Sequence, residues 1–360
     1  MKKLFFIAIF AIFSLGVAAQ QITAVHHYLP TLSEYQAQSY IGYDFFIPDH
    51  EVIFNSPNII KQMRQENPGL LILVYVNKIE WHSPMYPDKP WSLNMVRELK
   101  KHPRWFMRDL SGRNLEFWPK TVLMNCRLDC PKEIINGKYY SYIEWFTERY
   151  IQDVIGAYKR AGIRLDGILD DELLKMISFI GNYGQNRNGI DCDGDLINDD
   201  RYELDRQWRL GNEYFLSEVR RVMGPEFIII GNGGHGYYMK NCNGKEFEHF
   251  SEIFQNENDK LTEAWPENMN HAAGMEICIF NARTDNYGYK DNWLFTLCSA
   301  MLLDNVIFSH GQNMPYDEKY NLHLGKPLGP HYQVGNVVSR KFQNGTVNVN
   351  PVTKKAWVEK

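Results

Sequence analysis

Leu70-Leu71-Ile72-Leu73-Val74-Tyr75-Val76 has no charged residue and no polar alternation along its length. A strand with one face in water alternates polar and apolar side chains, so a run without alternation is covered on both faces, as a parallel strand between helices is. Seven further runs resemble it: Ile22 to Tyr28, Asp44 to Ile47, Thr121 to Asn125, Gly167 to Asp171, Phe227 to Asn232, Met275 to Asn281 and Val306 to His310. Helix-like segments or long loops separate them. Eight such strands define an α/β chain closed as a (β/α)8 TIM barrel, which takes about 250 residues before inserted loops are counted.

Three of the intervening helices show their period. Ser141 with Glu144 reads as a capping box ahead of Phe146, Tyr150, Val154 and Tyr158, and Gly162 stops the helix. A second runs from about Leu204 through Trp208, Phe215 and Val219 to Gly224-Pro225, and a third, Asn292 to Leu303, is apolar nearly all round and therefore buried. Past the barrel, Phe342-Gln343-Asn344-Gly345-Thr346-Val347-Asn348-Val349 reads as a hairpin with an Asn-Gly turn. The expected division is a leader over residues 1–19, a barrel over 20–335 and a C-terminal β-hairpin over 336–360.

The leader is expected from Lys2 and Lys3, the uncharged stretch Leu4 to Val17 and the small residues Val17-Ala18-Ala19, the pattern of a secretory signal peptide. Its apolar run is short for a membrane span, so a secreted or periplasmic protein without integral membrane association is expected. Lys and Arg total 39 against 43 Asp and Glu, a net charge of −4, and loss of Lys2 and Lys3 takes this to −6. No basic cluster follows the leader, which argues against a nucleic-acid partner and for a neutral or basic one. A monomer is expected. Cys126, Cys130, Cys192 and Cys242 fall in expected loops and are available for disulfides in an exported protein; Cys278 and Cys298 sit in apolar runs.

A (β/α)8 barrel places its chemistry at the C-terminal ends of the strands. Those ends are polar here: Tyr28, Asp49, Asn77 with Lys78 and Glu80, Asn125 with Arg127, Asp170 with Asp171 and Glu172, Asn232, Asn281 with Arg283, and His310 with Gln312. In Asp166-Gly-Ile-Leu-Asp170-Asp171-Glu172, neighbouring acids fall on opposite sides of the strand, so one must point into the cleft. Glycoside hydrolysis needs two carboxyl groups, one protonated and one ionised. The partner comes from another strand: Glu246 and Glu248 after the run ending at Asn232, or Glu252 or Glu276. The competing reading makes Asp170 and Asp171 loop caps or metal ligands.

Asp191-Cys-Asp193-Gly-Asp195-Leu196-Ile-Asn-Asp199-Asp200 spaces its oxygens at every second residue, the way a short loop wraps a hard cation. This points to a structural Ca2+ held by Asp191, Asp193, Asp195 and Asp199. It departs from an EF-hand, with Leu196 at the sixth position and Tyr202 at the twelfth, and a bare acidic loop is the alternative. Gly231-Asn-Gly233-Gly-His235-Gly236 matches a dinucleotide fingerprint in spacing, but the residues after it lack a helical period, so it is read as a loop passing close to substrate or backbone. Of His26 and His27, strand alternation turns one into the barrel, as a satisfied core histidine.

These residues resemble the hypothetical glycosyl hydrolases of the family fifteen type, distant relatives of polygalactosaminidase-like and spherulin-like barrels. The resemblance rests on Asp166 to Asp171, the acidic loop Ile190 to Asp200 with Trp208-Arg-Leu-Gly211, Gly231-Asn232-Gly233 leading to Gly244-Lys-Glu-Phe-Glu248, and the endings Leu324 to Gly329 and Asn344 to Pro351. It implies Asp171 as the acid after the fifth expected strand and Glu248 as the acid following the Asn-Gly loop. The resulting expectation is a hydrolase of polysaccharide or oligosaccharide with Asp171 and Glu248 as carboxyl pair, Asp170 assisting, and Asn232, Trp81, Tyr237 and Arg127 binding sugar. Two readings compete with it: a calcium-stabilised glycan-binding barrel that does no chemistry, and a structural protein of the cell surface.

Overall fold

The computed structural model describes residues 21–82, 88–233, 236–250, 261–282 and 292–360. The expected signal peptide, His235, Glu252 and Arg283 lie outside the described residues. Eight parallel strands close a barrel: β1 (Thr23–His27), β2 (Phe45–Pro48), β3 (Leu71–Val76), β4 (Gly167–Asp170), β5 (Ile228–Asn232), β6 (Gly244–Phe247), β7 (Ile277–Ala282) and β8 (Val306–Gln312), adjacent in chain order. The fold is an α/β TIM barrel.

Seven of the eight expected runs are barrel strands and one is not. Thr121–Leu123 pairs antiparallel with Glu80–His82 outside the barrel, while the strand that takes its place is Gly244-Lys-Glu-Phe247. That segment reads as polar loop in sequence, yet Lys245 and Glu246 are both fully buried. Glu246 is thus a strand residue rather than a loop residue. Its carboxylate lies 3.1 Å from His26 Nε2. Since β1 and β6 are not neighbours in the sheet, the two side chains meet across the barrel interior. His27 faces the other way, with its ring nitrogens on Tyr40 Oη (3.2 Å) and the Thr31 carbonyl (2.9 Å).

The helices follow their sequence signals. Glu144 accepts from the Ser141 backbone N–H at 2.8 Å and opens the helix Tyr142–Arg149, which continues through a π-helical stretch Tyr150–Ile155 into Gly156–Arg160. The apolar residues of this segment repeat every fourth position, and in a regular α-helix such a stripe drifts about 40° per step. The wider π turn absorbs the drift, and Phe146, Tyr150, Val154 and Tyr158 are all fully buried. The helix Arg201–Met223 is capped by Asp200, whose side chain accepts from the Tyr202 and Glu203 N–H groups, and ends at Gly224 with φ +84°.

The chain forms two compact units: His26–Ile41 with Phe45–Glu246, and Gly42–Asp44 with Phe247–Lys360 and the residues up to Val25. The second contains the buried helix Trp293–Met301 and a four-stranded antiparallel sheet. The sheet runs Tyr332–Val334, Val337–Phe342, Gly345–Asn350, Lys355–Glu359, so the expected hairpin is its central pair, with Phe342 opposite Gly345 across the turn. Cys126, Cys130, Cys192 and Cys242, the four that the sequence offers for bridges, are buried thiols outside any disulfide. Among the described residues no helix is long and apolar enough to cross a membrane.

Gly211 lies inside the long helix, where alanine is ordinarily the better residue by about 1 kcal/mol. Here a Cβ would stand 1.8 Å from the Cys126 carbonyl oxygen. Gly211→Ala is therefore expected to destabilise by about 1–3 kcal/mol, read as a lower denaturant midpoint. A raised midpoint would mean the helix does not pack on the Cys126 loop.

Candidate active site

Strand alternation sorts the acids at the mouth of β4. Asp170 is in register with Val76 of β3 and Gly231 of β5, and Gly231 with Lys245 of β6, so these positions share one face. Lys78 donates to both Asp170 oxygens, at 2.6 and 2.8 Å, and both side chains are fully buried. The Lys78 ammonium also lies 5.1 Å from the ring centroid of Phe215, on the helix Arg201–Met223, which places this ion pair between barrel wall and helical layer. Burial pushes the Asp170 carboxyl up and the Lys78 charge opposes it. Lys245, buried on the same face, sits 5.2 Å from the Tyr238 ring, and its burial lowers its pKa. Asp170, expected to assist at the reacting bond, is instead enclosed in this ion pair on the outward face.

Asp171 takes the opposite face and is only half-buried. Its Oδ2 accepts from Tyr75 Oη at 2.5 Å, and its Oδ1 accepts from Asn232 Nδ2 and from the Glu172 backbone N–H, each at 2.8 Å. Three donors on one carboxyl group favour its ionised form. Burial and the Asp171 charge hold the Tyr75 phenol well above its usual range, so it stays a donor. Tyr28, at the end of β1, packs against Tyr75 with ring centroids 4.7 Å apart.

Two further carboxyl groups adjoin Asp171. Glu172, held at φ +49°, accepts from Trp118 Nε1 at 2.7 Å and from Asn77 Nδ2 at 3.1 Å. Asn77 Nδ2 reaches Glu80 Oε1 at a long 3.5 Å. Burial first, then the charges of Asp171 and Glu80, push Glu172 up to about 9. Burial, with Asp171 adding to it, pushes Glu80 up to about 7. The sequence showed all three acids as strand-end residues. It gave no sign of Trp118, which arrives on the long excursion between β3 and β4 and stands 50% exposed beside them.

The remaining expected site residues fall in several places. Asn232 meets Asp171 as described. Tyr237 is exposed, with Lys175 Nζ 5.8 Å from its ring. Trp81 is 6% exposed, its ring against Trp91 and Phe146 and its Nε1 donating to Tyr142 Oη, so it is core rather than a stacking platform. Arg127 is spent on Asp129 (2.6 Å) and Asp199 (3.3 Å) and belongs to the acidic loop rather than the cleft. Glu248 follows β6 in the second unit; its side chain is 36% exposed and 3.3 Å from His249 Nε2. In the acidic loop, carboxylate oxygens of Asp191, Asp193 and Asp195 gather within 4.8 Å of one another. Asp199 is drawn off toward Arg127 and the Cys192 N–H.

Carboxyl groups thus gather at the C-terminal ends of the strands of a closed (β/α)8 barrel, the end at which such barrels carry their active sites. The profile of hypothetical glycosyl hydrolase family 15 matches residues 64–346, and the chain belongs to that family. No curated protein sequence matches it. Among solved structures it is similar to a cycloalternan-degrading enzyme from Trueperella pyogenes in complex with cycloalternan, at 9% identity and TM-score 0.46, over 81% of this chain and 41% of that one. It is also similar to an alpha-xylosidase from Xanthomonas citri, at 9% identity and TM-score 0.45, over 85% and 35%. The chain spans less than half the length of either, and similarities at this level carry nothing about substrate or mechanism.

The raised acids tie stability to pH. An unfolded glutamate loses its proton near 4.5, whereas Glu80 and Glu172 keep theirs to about 7 and about 9 when folded. Between those limits the folded chain binds more protons than the unfolded one, so their contribution is full below pH 4.5 and lost as pH rises through 7 and 9. Glu172→Gln has no proton to lose, so its melting temperature is expected to gain on wild type steadily from pH 5 to pH 9. A difference that is constant over this range would remove the raised Glu172.

Proposed function

We propose that this protein is a secreted glycoside hydrolase acting on a polysaccharide, with Asp171 as the ionised carboxyl group and Glu248 as the protonated one. The observation that carries the reading is the cradle of Tyr75, Asn232 and backbone N–H around Asp171 at an open strand end. A carboxylate so held is ready to act as nucleophile or base on an anomeric carbon, and its ligands fix where it points. Glu248, whose side chain is 36% exposed, is the proton donor to the leaving oxygen in this reading. Asp170 positions the strand end through Lys78. Asn232 and Tyr237 remain sugar contacts in this reading, and Trp118 joins them. Secretion rests on the signal-like pattern of residues 1–19.

Asp171→Asn and Glu248→Gln are each expected to lower turnover by about 10²–10⁴-fold on a responsive polysaccharide while leaving the melting temperature near wild type. Reducing-sugar release across a polysaccharide panel measures this. Wild-type turnover in either variant would remove that residue from the pair. Sugar binding with no release from any polymer would favour the glycan-binding barrel, a reading that the enclosure of Asp170 in an ion pair supports.

In the same proposal a structural Ca2+ is held by Asp191, Asp193 and Asp195, whose converging like charges fit a hard cation. Asp193 is exposed, and partial loss of hydration in the crowded loop together with the charges of Asp195, Asp199 and Asp191 raises its pKa, a repulsion that a cation would cancel. Asp199 then anchors the loop to Arg127 instead of binding the ion. Binding to the folded state alone adds stability, so EDTA is expected to lower the melting temperature and calcium to restore it. Superimposable melts in the two would exclude the ion.

A further inference from the structure

We propose that a cavity on the wall outside the barrel mouth is a distal subsite for a sugar carboxylate, so that the polysaccharide is one with uronate units. This inference rests on the hydrolase reading for the role of Asp171 and goes beyond it by naming the substrate class.

Two excursions build that wall, one between β3 and β4 and one between β4 and the helix Arg201–Met223, and they are joined in antiparallel order. Trp118 Nε1 donates to Glu172 at 2.7 Å, and the neighbouring Phe117 ring stacks on Tyr183 with centroids 5.7 Å apart. Farther out, the Asn186 side chain bonds the Glu116 carbonyl and N–H at 2.7 and 3.2 Å, and the Leu110 N–H donates to the Asn188 carbonyl at 3.2 Å. The wall therefore continues from the acids at the mouth to a cavity of about 290 Å³ that Leu110 and Asn188 line together. Ligand pockets begin at about 300 Å³, so the space suits one small ligand unit. Between mouth and cavity, Trp118 and Tyr183 are 50% and 38% exposed and offer ring faces to a sugar chain.

Arg187 and Arg201 both line the cavity, and among the described residues neither is in an ion pair. By contrast Arg64, Arg113, Arg206 and Arg221 each hold a carboxylate at 2.8 Å or less. Arg187 Nη1 donates to the carbonyls of Asn182 and Asn186, at 2.9 Å each, which fixes the side chain and leaves its remaining N–H groups for a ligand. The one acid in the described lining, Asp199, is held by Arg127 at 3.3 Å and by the Cys192 N–H at 2.9 Å. Guanidinium groups take a planar carboxylate by paired N–H bonds. The Asn182 and Asn188 amides line the same space and can meet hydroxyl groups, and Leu110, Ile190 and Leu204 give it an apolar side for the C–H face of a ring. A bare inorganic anion would use the arginines alone. The net charge of −4 disfavours an acidic polymer at long range, but salt screens that field beyond about 8 Å, so the two arginines decide binding locally.

Calorimetric titration of the wild-type protein at pH 7 and low salt with D-glucuronate and D-galacturonate, each beside its neutral parent D-glucose or D-galactose, tests this. At least one uronate is expected to bind about tenfold or more tighter than its parent. Arg201→Gln is expected to erase that preference while leaving the melting temperature near wild type, because Arg201 is exposed on the first turn of its helix. Arg187→Gln is expected to repeat the loss. Equal binding of uronate and parent, a preference that survives Arg201→Gln, or acetate and inorganic sulfate binding as tightly as the uronates would each overturn the subsite, the last by reducing it to a site for any small anion. Hydrolysis of neutral polymers without uronate preference would sink the subsite and keep the hydrolase; a uronate preference that depends on Arg201, without hydrolysis of any uronate polymer, would do the reverse.

Discussion

Adjacent residues of a strand face opposite ways, and in β4 this constraint separates two acids that look equivalent on paper. Asp170 turns outward into a buried ion pair with Lys78, beneath the helix that carries Phe215. Asp171 turns inward to a cluster of tyrosine, asparagine and backbone donors. One buried charge thus needs another to remain buried, and the pair that results pins the end of β4 against the helices. The strand end then holds Asp171 where three donors can reach it. If the pairing were exchanged, the mouth would lose its ionised carboxylate and the wall would gain an unmatched one.

The inward face is built in levels. Asn232 stands in register with Glu246, and its side chain meets Asp171, so β4, β5 and β6 contribute polar groups at one height. At the level of Asn232, Glu246 meets His26 across the barrel, and the Tyr28 and Tyr75 rings pack at a tilt near the strand ends. Polarity here is concentrated, with apolar walls around it, so each carboxyl group feels its neighbours strongly. Asp171 is surrounded by donors, whereas Glu80 and Glu172 are surrounded by burial and like charge. Acids in environments that differ this way settle into different protonation states.

Much of the barrel was legible in sequence because β-strands covered on both faces leave long apolar runs, as at Leu70 to Val76 and Phe227 to Asn232. The exception is instructive. Lys245 and Glu246 lie in β6 but read as loop, because two adjacent charged residues carry no apolar signal and the partner that Glu246 meets, His26, comes from a distant part of the chain. Thr121 to Asn125 failed in the opposite sense: it is apolar because it covers the excursion after β3, not because it lines the barrel. At the site, strand-end position identified Asp171, Glu172, Glu80 and Asn232. It misplaced Trp81 and Arg127, whose partners Tyr142 and Asp199 are far off in sequence, and it missed Trp118, for which no local pattern exists.

The most direct test of this division of labour is equilibrium unfolding of Asp170→Asn beside Asp171→Asn. Asp170→Asn leaves the Lys78 ammonium buried without its counter-charge, and a loss of about 3–5 kcal/mol is expected. Asp171→Asn keeps the shape of a half-buried group at the mouth, and a change below about 1 kcal/mol is expected. The reverse order, with Asp171→Asn the damaging variant and Asp170→Asn silent, would contradict the assignment of the two faces.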